Sequence, residues 1–268
     1  MSEPAIGIIG CGAIGRAILQ ATDTGALDIR IAGVSSRTET SAVAFLSTLG
    51  TPPPYLSRSE LIEQSDMIVE AAGPDVVPDL ARETFDAGKG LMVISVGAVI
   101  AHPWLLERAR ETGCRLLLPS GAIAGLDGIK SACAGPVDYV TMVSRKPPAA
   151  LEGAPFVVEQ GIDLGALTTE QEIFSGTARE ACRAFPNNLN VCAAVSVAGI
   201  GPDRTTVKMV AVPGLARNCH DVEVAGDFGL LRIHVENEPS ENPKTGKLTA
   251  LSIIRSLQQS IDPVQIGT

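Results

Sequence analysis

A glycine-rich turn near the start of the chain is the first feature that predicts a chemistry. The apolar run Ile6–Ile9 leads into Gly10-Cys11-Gly12-Ala13-Ile14-Gly15, after which apolar residues recur at helical spacing as far as Ala21. Glycines at this spacing, between a strand and a helix, let a pyrophosphate approach the backbone and the free N–H groups at the helix start. The turn therefore predicts a dinucleotide-binding site. Its expected contacts are Gly10, Gly12, Ala13, Ile14 and Gly15.

The end of the second predicted strand indicates which dinucleotide is bound. No acidic residue lies there to bind the adenine-ribose 2′-hydroxyl, since the chain reads Val34-Ser35-Ser36-Arg37-Thr38. The hydroxyl of Ser36 and the guanidinium of Arg37 can bind a 2′-phosphate. We therefore expect NADP to be used at least as readily as NAD, with a solvated loop arginine as the alternative. Ala72 and Gly73, which follow a third predicted strand, are also expected to contact the cofactor.

Three histidines are the candidate acid–base groups, because imidazole exchanges a proton near neutral pH. His102 precedes a proline at a predicted helix start, and His234 lies on the polar face of a predicted strand. His220 instead has the strand parity of Val222 and Val224, which places its imidazole at the entrance of a core-facing strand. From this pattern, a catalytic base and a core histidine satisfied by hydrogen bonds both remain open. A nucleophilic pair with the preceding cysteine is disfavoured, because adjacent strand residues point to opposite faces.

Alternating strands and helices in the first half must position the glycine turn. Continuous apolar strands separated by helices are typical of a parallel sheet covered on both faces, which binds ligands at the carboxyl ends of its strands. We therefore predict an α/β fold, with a doubly wound Rossmann-type sheet forming a dinucleotide-binding domain over residues 1–127. The predicted strands are Ile6–Ile9, Ile29–Val34, Met67–Ala71, Leu91–Val96 and Arg115–Leu118. Helices are predicted over Asp75–Ala87 and Pro103–Thr112.

The pattern changes after about residue 127 and predicts a second, α+β domain with a mixed or antiparallel sheet. We assign residues 128–246 to this domain and expect it to bind substrate and to pair two copies into a homodimer. The predicted strands are Tyr139–Val143, Thr206–Val212, Asp221–Val224 and Leu230–Glu236. The predicted helices are Thr177–Ala184 and Asn188–Ala198. The polar segment Glu238–Lys247 is a connector, and a final helix within residues 247–268 is expected to pack on the first domain.

Composition limits the classes of partner. Over 268 residues, 21 Lys and Arg against 30 Asp and Glu leave a net charge of −9, which argues against nucleic acid or an anionic membrane as the main partner. Aromatic residues amount to 3%, too few for a stacking platform for bases. Six cysteines occur without a Cys-x-x-Cys pair, so neither a metal site nor a disulfide framework is predicted. Without a recognisable signal peptide or membrane-spanning run, we expect a cytoplasmic protein with reduced thiols.

Several short motifs, spread in order over the whole chain, carry a family resemblance. They are Gly10–Gly15, Ser95–Ala98, Pro119–Asp127, Phe185–Val191, Asn218–His220 and Asn242–Thr245. Together they resemble the L-aspartate dehydrogenase family. The resemblance implies NAD(P)-dependent oxidation of L-aspartate to iminoaspartate, which hydrolyses reversibly to oxaloacetate and ammonia or feeds NAD biosynthesis. It also implies that His220 is the catalytic residue and that Ala124 and Asn190 contact the cofactor.

A substrate with two carboxylates requires hydrogen-bond donors and a cation. We expect Ser120, Asn187 and Thr245 to lie near the substrate. Several cations are eligible by charge, and the sequence does not choose among them. They are Lys130, Arg145, Lys208, Lys244 and Lys247.

Related two-domain reductases and a non-catalytic NAD(P)-sensing protein are the alternatives. A dihydrodipicolinate reductase should carry adjacent histidines, which the chain lacks, and a homoserine dehydrogenase is usually longer, with a lysine-centred site. A sugar or inositol dehydrogenase should have Glu-Lys-Pro where this chain reads Ser95-Val96-Gly97-Ala98. In a sensing protein, the dinucleotide would bind and His220 would be structural.

Replacing Arg37 with alanine tests the cofactor assignment. If the guanidinium binds the 2′-phosphate, its loss removes a charge-assisted hydrogen bond and lowers kcat/KM for NADP by roughly tenfold or more. The value for NAD should change little, because NAD lacks that phosphate. Steady-state kinetics with both dinucleotides measure the ratio, and an unchanged ratio would assign Arg37 to a solvated loop.

Overall fold

The computed structural model describes residues 4–186, 190–238 and 246–267. In these ranges the chain forms two compact units. Unit 1 comprises the described residues of Met1–Pro119 and Ala250–Gln265, and unit 2 those of Ser120–Thr249 and Ile266–Thr268. No helix in the described ranges has the length and apolar composition needed to cross a lipid bilayer.

Unit 1 contains a five-stranded sheet in the order β2-β1-β3-β4-β5, and every neighbouring pair in it is parallel. Its strands are β1 (Ala5–Ile9), β2 (Arg30–Ser35), β3 (Met67–Glu70), β4 (Gly90–Val93) and β5 (Leu116–Leu117). Its helices are α1 (Ala13–Asp23), α2 (Glu39–Leu46), α3 (Arg58–Gln64), α4 (Val77–Asp86), α5 (Gly97–Ala101), α6 (Trp104–Thr112) and most of α11 (Lys247–Ile261). The predicted doubly wound sheet is confirmed.

Two apolar clusters cover the two faces of this sheet, which explains why β1 and β3 are buried along their whole length. One cluster joins Ile18 of α1 to Ile253 and Leu257 of α11. The other joins Leu80 of α4 to Leu105 of α6. Helix α11 therefore belongs to the core of unit 1, although it lies at the other end of the chain.

Unit 2 contains a five-stranded mixed sheet in the order β10-β9-β6-β8-β7. β6 and β8 are parallel, and the other neighbouring pairs are antiparallel. Its strands are β6 (Val137–Lys146), β7 (Gln171–Thr177), β8 (Thr205–Ala211), β9 (Asn218–Gly226) and β10 (Gly229–Asn237). Its helices are α7 (Leu126–Ala132), α8 (Pro155–Glu159), α9 (Ala178–Ala184) and α10 (Asn190–Ala198). The predicted second sheet is confirmed as mixed.

The two faces of this sheet differ. Val140 and Met142 of β6 and Val222 and Val224 of β9 are buried in one cluster with residues of α7, α9 and α10. The alternate residues of the same strands are partly exposed and line a cavity of about 550 Å³. We call this second surface the open face. It is defined by Thr141, Val143, Asp221, Glu223, Arg232 and His234.

Six elements in the described ranges were not predicted: the short helices α5, α7 and α8, and α2, α3 and β7, whose sequences carry weak periodicity. α2 buries only Ala42 and Leu46, and α3 is a seven-residue helix held by a capping box from Ser57. β7 begins with two exposed polar residues and pairs with β8 alone, which masks the alternation expected of a strand. β9 is longer than predicted, from Asn218 to Gly226, because its first three residues are also buried and paired.

Candidate active site

The glycine turn has one glycine with free space and two that are needed for packing. A Cβ at Gly15 would lie 2.1 Å from the carbonyl oxygen of Gly10. A Cβ at Gly10 would lie 2.4 Å from the carbonyl oxygen of Ala71, and Gly10 has a φ of 108°. Gly12, the N-cap of α1, is exposed, and no atom lies within 4 Å of its Cβ position. This open space in front of a helix N-terminus fits a pyrophosphate.

The end of β2 lies directly against this turn. Gly10 N donates to Ser35 O at 2.7 Å, and Tyr55 Oη donates to Ser36 O at 2.7 Å. The side chain of Arg37 is exposed. Ser36 and Arg37 are therefore close to the glycine turn in unit 1, as their predicted role requires.

Ala72 and Gly73 follow β3, but their N–H groups already have a partner within the protein. Both donate to Oε1 of Glu70, at 2.9 Å and 2.7 Å. A contact between this loop and a dinucleotide therefore uses atoms other than these two N–H groups.

His220 lies on the buried face of β9, as its strand parity predicts. It is 2% exposed and is paired with Ser144 of β6 in the antiparallel register. Nδ1 of His220 lies 3.1 Å from Oγ of Ser144. This contact orients the ring, and it leaves Nε2 available for chemistry.

Lys146 is a buried cation that the sequence analysis missed. It lies two residues after Ser144 on β6, hence on the same face, and is 4% exposed. Burial lowers its pKa to about 8, and no carboxylate in the described ranges counteracts that shift. The parity of Lys146 with Val140 and Met142 was the signal that could have identified it.

The imidazole and the ammonium affect each other's charge state. The pKa of His220 is lowered to about 3, mainly by burial and in addition by the positive charge of Lys146, while the carboxylate of Asp221 opposes both. At neutral pH the imidazole is therefore neutral and Lys146 is mostly protonated. A buried ammonium next to a neutral imidazole can bind an anionic group and leave the imidazole able to accept a proton.

The loop after β5 is held against β10. Asn237, which is buried, donates from Nδ2 to Ala122 O at 2.8 Å, and a Cβ at Gly125 would lie 2.5 Å from Cδ1 of Ile233. Ser120 at the start of this loop is half-buried and Ala124 is exposed.

The remaining predicted contacts fall partly within the described ranges. Asn190 is the first residue of α10 and is exposed, and like Ser120 and Ala124 it belongs to unit 2. Asn187 and Thr245, and the candidate cation Lys244, lie outside the described residues.

Other candidate groups are engaged elsewhere. Arg145 pairs with Asp221 on the open face, and Lys208 lies 3.1 Å from Glu172. His234 is exposed on the same face, where hydrogen bonds to Asp221 and Glu236 raise its pKa.

The nucleophilic pair of Cys219 and His220 finds no support in the described ranges. Burial raises the pKa of the Cys219 thiol, which disfavours a nucleophilic thiolate. His102 is the C-cap of α5 and directly precedes Pro103, the N-cap of α6, which agrees with its predicted position before a helix. The described residues contain no group of three or more His, Cys, Asp or Glu side chains arranged to hold a metal ion.

A doubly wound sheet with a glycine turn at a helix N-terminus, together with a second domain that contains a buried imidazole and ammonium, defines a class: the two-domain, dinucleotide-dependent oxidoreductases. Residues 10–119 match the family model described as "Homoserine dehydrogenase, NAD binding domain". Residues 127–260 match that described as "Aspartate dehydrogenase, C-terminal".

Full-length relatives narrow this class. The chain is 46% identical to the L-aspartate dehydrogenase of Methanosarcina mazei over 268 residues, which cover 98% of this chain and 99% of that protein. It is 41% identical to L-aspartate dehydrogenase 3 of Bordetella bronchiseptica, over 99% of this chain and 98% of that protein. The chain belongs to the L-aspartate dehydrogenase family.

Solved structures share the fold. The crystal structure of aspartate dehydrogenase from Thermotoga maritima superposes with a TM-score of 0.76 at 23% identity, covering 99% of this chain and 100% of that one. A homoserine dehydrogenase from Thiobacillus denitrificans gives a TM-score of 0.63 at 14% identity, covering 97% of this chain and 73% of that one.

Alanine substitutions at Gly12 and Gly15 separate cofactor binding from packing. In Gly12→Ala the methyl group occupies the open space, so we expect the dinucleotide dissociation constant to rise about tenfold or more, with little change in stability. In Gly15→Ala the methyl group meets a backbone carbonyl, so the free energy of unfolding should fall by about 1–3 kcal/mol. Thermal unfolding and dinucleotide titration measure the two effects. Unchanged binding by Gly12→Ala would contradict the site.

Proposed function

We propose that the protein catalyses the NAD(P)-dependent oxidation of L-aspartate to iminoaspartate, which hydrolyses to oxaloacetate and ammonia, and that it also runs in reverse. The observation that carries this proposal is the buried group of His220, Ser144 and Lys146 on one face of a sheet, in a chain of this family. Unit 1 binds the dinucleotide, and unit 2 binds the substrate. A cytoplasmic location is part of the proposal.

His220 acts as the general base in this reaction. When bound, the nicotinamide supplies the hydride acceptor. The aspartate nitrogen must lose its proton before hydride leaves the α-carbon, and water must later add to the imine carbon. With a proton on Nδ1 donated to Ser144 Oγ, Nε2 of His220 can accept the proton from the substrate or from that water. In the amination direction, the imidazolium returns it.

Lys146 binds one substrate carboxylate. The ammonium is buried, and its positive charge is one cause of the low pKa of His220. A carboxylate paired with Lys146 cancels that charge, so substrate binding raises the pKa of His220 towards the range in which it accepts a proton. The same ion pair thus holds the substrate and activates the base.

The second unit also provides the surfaces for a homodimer. β10 is an edge strand of nine residues, Gly229–Asn237, and it exposes Leu230 at one end. Long edge strands favour pairing with another chain. We therefore keep the prediction that two copies pair through this sheet about a two-fold axis.

A direct assay tests the proposed reaction. Purified protein mixed with L-aspartate and NAD⁺ or NADP⁺ should give the absorbance of the reduced nicotinamide, and oxaloacetate with ammonia should consume it. His220→Ala should lower kcat by at least ~10²-fold, because a general acid–base group is lost, with little change in dinucleotide affinity. L-alanine in place of L-aspartate is the control for the second carboxylate. Dinucleotide binding without turnover in either direction would instead support a sensing protein.

Lys146→Met tests the carboxylate contact. Methionine fills a similar volume without the buried charge, so the variant should fold at least as stably as the parent protein. KM for L-aspartate at neutral pH should rise by roughly tenfold or more, because a charged hydrogen-bond donor is lost. In the parent protein, KM should also rise as the pH passes about 8, where Lys146 loses its proton, and this rise should be absent in Lys146→Met. Equal KM values for the two proteins at neutral pH would remove Lys146 from the substrate site.

A further inference from the structure

Glu70 is a buried carboxylate that has no role in the proposed mechanism. It is the last residue of β3, between β1 and β4 in the sheet of unit 1, and it is 0% exposed. Burying a carboxylate is costly unless hydrogen bonds replace the lost water. Its partners therefore indicate what it does.

Four hydrogen bonds reach this carboxylate from two loops. Oε1 accepts from Ala72 N at 2.9 Å, from Gly73 N at 2.7 Å and from Ser95 Oγ at 3.1 Å. Oε2 accepts from Ser95 N at 2.9 Å. Three of the four donors are backbone N–H groups, which cannot act as acceptors. The ionised carboxylate is therefore the form that this environment fits.

The charge state of Glu70 follows from two opposing effects. The pKa of the Glu70 carboxyl is raised above its usual value, because the effect of burial exceeds the opposing effect of the hydrogen bonds from Ser95, Gly73 and Ala72. Because the donors are built into the backbone of both loops, the carboxylate and the loop conformations stabilise each other.

The glycine turn rests on one of these loops. A Cβ at Gly10 would lie 2.4 Å from the carbonyl oxygen of Ala71 and 2.8 Å from the nitrogen of Ala72. Gly10 is thus packed against the peptide whose N–H group donates to Glu70. One carboxylate holds the loops after β3 and β4, and through the first of them it supports the turn after β1.

We propose that Glu70 is a positioning residue of the dinucleotide site, and that its carboxylate holds the Ala72–Gly73 and Ser95 loops in the conformation that binds the cofactor. The proposal rests on the dinucleotide site proposed above. Ligands of a doubly wound sheet bind at the carboxyl ends of its strands, which is where the three supported loops lie. Glu70 itself is buried beneath them and acts through them.

Glu70→Gln is the sharpest variant, because it keeps the shape of the side chain. With the amide oxygen in the Oε1 position, it can still accept from Ala72 N, Gly73 N and Ser95 Oγ, but the amide NH₂ group then faces the N–H group of Ser95. We expect the dissociation constant of NAD⁺ or NADP⁺, measured by titration without substrate, to rise by roughly tenfold to a hundredfold. KM for the dinucleotide should rise with it, while kcat at saturating dinucleotide changes less.

Two further variants complete the design. Ser95→Ala removes only the Oγ hydrogen bond and keeps the N–H group, so its dissociation constant should rise by about two- to fivefold. Glu63→Gln is the matched control, since Glu63 is an exposed glutamate of α3 and the change removes the same charge. Its dinucleotide affinity should equal that of the parent protein.

The results for these variants distinguish a wrong role for Glu70 from a wrong dinucleotide site. If Glu70→Gln is folded and binds dinucleotide normally while Gly12→Ala binds it weakly, the site stands and the role of Glu70 is overturned. A lower Tm with an unchanged dissociation constant has the same meaning, because the carboxylate then supports only the fold. If both variants bind normally, the site and the role of Glu70 are wrong together. If Glu70→Gln does not fold, Ser95→Ala decides, and an unchanged dissociation constant overturns the proposal.

Discussion

The antiparallel pairing of β6 with β9 is the constraint on which the chemistry of unit 2 depends. This register sets Ser144 opposite His220 and places Lys146 on the same buried face. An ammonium and an imidazole buried together cannot both be charged at low cost, so His220 gives up its proton and Lys146 keeps its own. The pairing therefore places a neutral imidazole beside a protonated ammonium, which is the arrangement that the proposed roles of His220 and Lys146 require.

In unit 1, the close packing of the backbone around the glycine turn is the main constraint. The proposed binding of a pyrophosphate requires free space beside a closely packed glycine turn. The free space lies at Gly12, whereas Gly10 and Gly15 allow neighbouring backbone segments to pack closely against the turn. Glu70 then gives the neighbouring N–H groups an acceptor that belongs to the protein itself. A proposed dinucleotide site that is already held in this way would lose little conformational entropy on binding.

Features encoded by local spacing were predictable from sequence. The glycine turn, the parallel sheet and the buried position of His220 follow from patterns within a few residues. Lys146 was missed because it adjoins Arg145 at the end of a strand, where two consecutive cations resemble a solvated terminus. Glu70 was missed because its carboxylate accepts hydrogen bonds from Ser95, which lies 25 residues away in the chain. Whether a charged side chain is buried or solvated depends on its contacts with residues far away in the chain. These contacts cannot be read from one sequence.

The sheet of unit 2 is a single layer, so each residue of the buried group has a neighbour on the open face. Arg145 follows Ser144 and Asp221 follows His220, and these two neighbours form an ion pair. Deleting or inserting one residue in β6 or β9 would exchange the faces and place charged side chains in the core. Between Val140 and Lys146 and between His220 and Val224, we therefore expect changes of length to be tolerated less well than in the loops.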